Sequence, residues 1–307
     1  MTPDEHTNQE FFLDVGDGHR LYVQDWGLAD AKMPIMVLHG GPGNGVDDRD
    51  KRKFDPTVQR VIFHDQRGAG QSLPTGSLTN NTTQDLVTDI EAIAQHLQLD
   101  KFVLVGGSWG STLALAYGIA HPERVAAMVI DGVFTAAEAE IDWFDQGGWR
   151  QFFPDVWDQY LDSVPAKHRQ NPTAYHLKTV LGDDPAAAKQ SAYAYQTMEL
   201  ALLKLDDRYY PGNYSTYEPG AILIEMHYLA NRFFMPADYI LKHAGKLTMP
   251  IYMVAGRYDL VTPPVGVYEL NKKLPDGHLT WTINGHLRQH EALNVHRLMV
   301  NRVTGVE

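Results

Sequence analysis

The sequence predicts an α/β fold, a mostly parallel central sheet carrying an inserted helical cap. Short apolar runs recur at Pro34 to Leu38, Arg60 to His64, Phe102 to Val105, Val125 to Ile130, Ile251 to Ala255 and Leu279 to Ile283. Runs of that kind are expected of strands covered on both sheet faces. Helical stretches alternate with several of them. Thr83 to Gln98 places Leu86, Ile90, Ile93 and Leu97 on one stripe, with acidic residues in its first turns. From Phe134 to about Gly245 the strand pattern stops, and Trp, Tyr and Phe become frequent in helix-compatible segments separated by Pro, Gly and Asn. The expected division is a core of residues 1–133 and 246–307 and a helical cap of residues 134–245.

Taken in order, Phe11 to Val15 and His19 to Val23 flank Gly16-Asp17-Gly18, a turn signal that predicts an opening antiparallel hairpin. The charge run Asp47 to Lys53 mixes both signs and reads as a solvated loop or helix face. Lys101 to Val105 reads as a buried strand that runs directly into Gly106-Gly107-Ser108-Trp109-Gly110, and Thr112 to Ala120 reads as the helix that follows. Gly-x-Ser-x-Gly between a strand and a helix is a nucleophile elbow, in which the glycines permit a sharp turn and leave the serine hydroxyl at its apex.

Composition bounds the partners. With 307 residues of which 44% are hydrophobic, the chain can bury one large core and a smaller lobe. Lys and Arg number 26 against 38 Asp and Glu, a net charge of −12 that repels nucleic acid and tolerates cationic or amine-bearing ligands. The absence of cysteine removes disulfides and thiol nucleophiles from consideration. Met1 to Glu10 is polar and acidic without a leader pattern, and no apolar run reaches membrane-spanning length, so a cytoplasmic location is expected.

A serine hydroxyl is a poor nucleophile at neutral pH and needs a general base, itself oriented by a third group. In elbow-type hydrolases the partners follow in the order Ser, acid, His. Ile251 to Ala255 runs into Gly256-Arg257-Tyr258-Asp259, and Leu279 to Ile283 runs into Asn284-Gly285-His286. Asp259 and His286 are therefore expected at the same sheet edge as Ser108, where open α/β sheets bind ligands. Of the 14 histidines, His278 is set aside because it precedes its strand, and His290 and His296 because they fall in a helix-like tail. His39-Gly40-Gly41-Pro42-Gly43 follows another strand, and the oxyanion hole is assigned to the backbone N–H groups of Gly41 and Trp109. Metal binding by His39 is disfavoured for want of neighbours at ligand spacing, and phosphate binding for want of a Walker lysine.

With these tracts in hand, the chain resembles the proline iminopeptidases, prolyl aminopeptidases of the α/β-hydrolase superfamily. The resemblance rests on His39 to Gly43, Asp65-Gln66-Arg67-Gly68-Ala69-Gly70-Gln71-Ser72 and Gly106 to Leu115. It continues through Phe153-Pro154-Asp155-Val156-Trp157 and the Asp259 and His286 sites. It implies release of an N-terminal proline from a small peptide or amino-acid amide, with no metal or organic cofactor. It further implies that cap glutamates bind the substrate amine: Glu225, in Glu225-Met226-His227-Tyr228, and Glu199, preceded by Tyr195 and Met198 where the family has Trp-x-x-Trp-Glu. Two carboxylates facing one pocket repel unless a cation lies between them, and a substrate ammonium is such a cation. Phe134 is expected as an apolar wall for a small cyclic side chain. Asp131-Gly132 stands where the family commonly has Arg-Gly, placing an anion near the expected pocket. An esterase, amidase or lactone hydrolase shares the triad without needing an amine site, and a non-catalytic receptor on a hydrolase fold would need no triad at all. Dehalogenase and epoxide hydrolase chemistry uses a carboxylate at the elbow, where this chain has Ser108.

Overall fold

The computed structural model describes residues 6–203, 219–287 and 290–306. The first five residues of the polar N-terminal stretch and residues 204–218 of the inserted segment lie outside the described residues. The opening hairpin is present and longer than its apolar runs: β1 (His6–Asp14) pairs antiparallel with β2 (Arg20–Leu28), Asp14 opposite Arg20. The remaining strands are β3 (Ile35–Leu38), β4 (Arg60–His64), β5 (Phe102–Gly107), β6 (Val125–Asp131), β7 (Ile251–Gly256) and β8 (Gly277–Thr282). They form one sheet in the order β1-β2-β4-β3-β5-β6-β7-β8. The β2–β4 pairing is antiparallel, and every pairing from β4 through β3 to β8 is parallel.

Why the central strands read as unbroken apolar runs is plain from the packing. Successive strand residues point to opposite faces, and both faces are dry. Met36, Leu38, Leu104, Met128 and Ile130 pack on one side, while Ile35, Val37, Val103, Val105, Ala127 and Val129 pack on the other. The first side is covered by α1 (Thr83–His96) and α2 (Trp109–Ala120). Thr82 caps α1, accepting from the Asp85 N–H while the Asp85 carboxylate accepts from the Thr82 N–H, which satisfies two otherwise orphaned donors.

Between β6 and β7 the described residues are helical: α3 (Glu138–Asp145), α4 (Pro154–Asp162), α5 (Pro172–Val180), α6 (Pro185–Leu202), α7 (Pro219–Ala230) and α8 (Tyr239–His243). Proline opens α4, α5 and α6, where its missing N–H costs nothing, and Asn171 and Asp184 cap the last two through their side chains. The chain ends with α9 (Pro264–Asn271) after β7 and α10 (His290–Thr304) after β8, and Val300 of α10 enters the second core. None of the helices among the described residues is long and apolar enough to cross a membrane.

Arg67 anchors the loop after β4 to α1. Its guanidinium meets the Asp89 carboxylate through two bonds of 2.8 Å and donates to the Asn80 carbonyl at 2.6 Å, with both charged side chains only 2% exposed. Removing one partner strands a buried charge. Asp89→Ala is expected to lower the unfolding free energy by about 3–5 kcal/mol, measurable by urea denaturation; a change near zero would show that water replaces the carboxylate.

Two boundaries differ from the expectations. His278 lies inside β8, because Gly277 already pairs with Ile251, and Ile283 lies beyond its end with 79% of its surface exposed. The charge run at Asp47 folds as a short 3-10 turn with no buried residue.

Candidate active site

Ser108 sits between β5 and α2 with φ 55° and ψ −128°, a conformation that a non-glycine residue holds only under strong local constraint. The constraint is visible at the two motif glycines. A Cβ on Gly106 would lie 2.3 Å from the Gly110 carbonyl oxygen, and one on Gly110 would lie 2.1 Å from that of Leu38. Only hydrogen fits at either place, so β3, β5 and α2 approach closely enough to force the turn. The Ser108 N–H donates to the Asp131 carbonyl at 3.0 Å, tying the elbow to the end of β6.

Asp259 and His286 meet at the ends of β7 and β8. His286 Nδ1 lies 2.8 Å from Asp259 Oδ2, and both side chains are buried. The carboxylate also accepts from the Val261 N–H at 3.0 Å, the Thr262 N–H at 2.9 Å and the Thr262 hydroxyl at 2.9 Å. With every donor aimed at the carboxylate, the imidazole proton belongs on Nδ1 and Nε2 keeps a lone pair. Burial by itself would lower the His286 pKa, but the Asp259 charge and hydrogen bond, with a smaller contribution from Glu199, outweigh it and raise the pKa above its ordinary value. The ring lies against Gly132, where a Cβ would be 3.0 Å from Cε1 and 3.5 Å from Nε2. Gly132 directly follows the residue whose carbonyl holds the Ser108 N–H, so the elbow backbone and the imidazole both contact the end of β6.

A cavity of about 60 Å³ opens here, and its lining includes Gly41, Ser108, Phe134, Tyr195, Glu199 and Glu225. Tyr195 and Glu199 stand one turn apart on α6, and the Tyr195 hydroxyl donates to Glu225 Oε1 of α7 at 3.0 Å. The two glutamate carboxyls line the same cavity and are electrostatically coupled. Burial drives both pKa values upward; repulsion from Glu199 lifts that of Glu225 further, so the pair retains a proton that a lone surface carboxyl would have lost. Trp109, the first residue of α2, is buried, and its first-turn N–H has no partner within the helix.

Phe134 meets Phe233 edge to face at 4.9 Å, and Ile141, Phe144, Leu229 and Val261 extend the apolar lining. The Phe134 backbone is fastened at both ends to α2. Its N–H donates to Ser111 Oγ at 3.0 Å, and its carbonyl accepts from the Thr112 hydroxyl at 2.7 Å. These two anchors were not singled out from sequence, although they directly follow the elbow.

Glu140 was also missed. It lines the cavity, is 3% exposed, and accepts through Oε2 from the Thr135 N–H at 3.0 Å, from the Thr135 hydroxyl and from the Ala137 N–H at 3.3 Å. Burial pushes its carboxyl up to about 7. The legible signal was a glutamate at the third position of α3, where such side chains reach back to the cap.

Asp131 does not stand in the pocket wall, contrary to the expectation of an anion there. Its carboxylate lies beneath Gly107 and 3.6 Å from His296 Nε2 of α10, both side chains buried. Strand alternation puts the side chain on the same side of β6 as Ala127 and Val129, the side that α10 covers, and it does not line the cavity. His296, set aside as part of a helical tail, is thereby a core residue.

Comparison with known proteins agrees with this architecture. A family model described as the alpha/beta hydrolase fold matches residues 33–288, which sets the class as a hydrolase built on that fold. The chain is 37% identical over 304 residues to the proline iminopeptidase of Xylella fastidiosa (strain Temecula1 / ATCC 700964), covering 97% of this chain and 96% of that one. It is 35% identical to the proline iminopeptidase of Arabidopsis thaliana, covering 94% and 78%. The crystal structure of proline iminopeptidase from Mycobacterium smegmatis superposes with a TM-score of 0.60 at 18% identity, covering 97% and 98%, a likeness of fold. The chain belongs to the proline iminopeptidase family.

Proposed function

We propose that the protein is a serine aminopeptidase that releases N-terminal proline from peptides or prolyl amides through an acyl-enzyme. The observation that carries this reading is the Glu199–Glu225 pair opening onto the same cavity as Ser108. An esterase has no use for two carboxyls buried beside its nucleophile. A protonated proline nitrogen presents two N–H bonds, one for each carboxylate, and its positive charge replaces the proton the pair otherwise shares. The apolar lining at Phe134 then receives the ring. Residues 134–245 serve as the cap and residues 1–133 with 246–307 as the core.

In this reading His286 Nε2 removes the Ser108 hydroxyl proton as Oγ attacks the prolyl carbonyl, and Asp259 stabilises the imidazolium that forms. The N–H groups of Gly41 and Trp109 receive the developing oxyanion. His286 returns the proton to the leaving amine, and a water activated by the same imidazole hydrolyses the prolyl ester on Ser108.

The test is a chromogenic prolyl amide offered with a free and with an acetylated nitrogen. Acetylation removes the cation and both N–H donors, and at roughly 1.5–3 kcal/mol per charge-assisted bond kcat/KM should drop at least about 100-fold. Equal cleavage of both would end the amine-receptor reading.

A pH dependence follows from His286. The base works only when neutral, and its raised pKa places the loss of activity on acidification above the ordinary 6.5. Removing negative charge nearby destabilises the imidazolium, so Glu199→Gln should move that acid limb to lower pH. The profile of kcat/KM for a simple ester reads the shift, and a limb that stays in place would contradict the coupling.

A further inference from the structure

Behind the two proposed oxyanion donors lies a buried chain of hydrogen bonds that the mechanism does not use. His39 Nε2 accepts from the Gln66 backbone N–H at 3.0 Å, and His39 Nδ1 lies 2.9 Å from the Gly40 carbonyl oxygen. A backbone N–H can only donate, so Nε2 carries the lone pair and the ring proton is on Nδ1, donating to Gly40. The Gln66 side chain completes the link: its amide nitrogen donates to the His39 carbonyl at 3.0 Å, and its amide oxygen accepts from the Trp109 indole N–H at 2.8 Å. His39, Gln66 and Trp109 are each no more than 7% exposed.

The Gly40 carbonyl and the Gly41 N–H belong to one trans peptide plane, in which the two groups point in opposite directions. Whatever holds the carbonyl towards the imidazole fixes the Gly41 N–H on the opposite side of the plane, and Gly41 lines the cavity together with Ser108. A hydrogen bond to the carbonyl also polarises the amide and strengthens its N–H as a donor. We propose that His39 is a positioning residue of the oxyanion hole, its imidazole aiming the Gly41 N–H while Gln66 locks the ring and ties it to Trp109. Burial keeps the His39 pKa low, which preserves the neutral tautomer the arrangement requires. Cation and metal roles for His39 have no place in this network, since both ring nitrogens are already engaged.

The proposal rests on the serine-hydrolase reading above, and the experiment separates the two. Two substrates are used, a prolyl amide and p-nitrophenyl acetate, whose tetrahedral intermediate uses the same hole without needing an amine site. His39→Ala should lower kcat on the ester by about 30-fold, part of what loss of a whole donor costs, with KM within about twofold. Binding of a prolyl boronate, which forms a tetrahedral adduct on serine, should weaken by the same factor while binding of prolinol stays unchanged. His39→Asn places an amide nitrogen where Nδ1 was and should restore most of the loss. An unchanged kcat in His39→Ala would overturn the proposal. So would a loss that His39→Asn fails to restore and that weakens prolinol equally, because that pattern belongs to a general packing defect. Wild-type protein that hydrolyses the ester and not the prolyl amide would defeat the aminopeptidase reading alone, with the ester data still deciding His39.

Discussion

Ser108→Ala is expected to reduce turnover of a prolyl amide by about 10⁶-fold, the scale on which removal of the nucleophile acts when base and acid remain in place. The variant should fold normally. The hydroxyl contributes none of the bonds that shape the elbow, which is held through the Ser108 N–H and carbonyl and by the close approaches at Gly106 and Gly110. Alanine still has to hold the positive φ of 55°, but the surrounding contacts that impose it are untouched. Active-site labelling with a fluorophosphonate gives an independent reading, a stoichiometric adduct in the parent protein and none in the variant. Activity within an order of magnitude of the parent would remove Ser108 from the chemistry altogether.

Asp259→Asn should cost about 10⁴-fold in kcat with little change in KM, a loss that arises from orientation and tautomer. The native carboxylate accepts from four donors, two backbone N–H groups, the Thr262 hydroxyl and His286. An asparagine has one acceptor oxygen, which the Val261 and Thr262 N–H groups claim. Its NH₂ then faces His286 Nδ1 and favours the proton on Nε2, where it blocks attack. The acid limb of the pH profile should move to lower pH in parallel, since the charge that raises the His286 pKa is gone. Kinetics over a pH series checks both effects together. A variant with normal kcat would mean that His286 is oriented by something other than this carboxylate.

Much of this site was legible before any coordinates because its chemistry sits where local patterns are strongest. The elbow is written in consecutive residues, Phe102 through Ala120, where an apolar strand, two glycines and a helix leave little freedom. Asp259 and His286 are picked out by a positional rule, the first turn after a late strand, and their side chains do meet; the strands end where the apolar runs end to within a residue or two. What escaped depends on pairings across long stretches of chain. The start of β8 is set by Ile251 opposite Gly277, which no window around residue 277 contains. Asp131 was read through its neighbours in sequence, yet strand alternation turns it towards His296 of α10, and Glu140 acquires its importance only when burial removes water from its carboxyl. His39 was weighed as an isolated ligand, whereas both its ring nitrogens are engaged by backbone, the Gly40 carbonyl and the Gln66 N–H.

The fastening of the Phe134 backbone to Ser111 and Thr112 ties the start of the segment after β6 to the first turn of α2, so the proposed nucleophile and the proposed apolar wall share one anchor, like the two arms of a caliper. If the proposed wall sets the size of the residue received, trading the Phe134 ring for a smaller side chain would open room while leaving the backbone anchor to α2 in place.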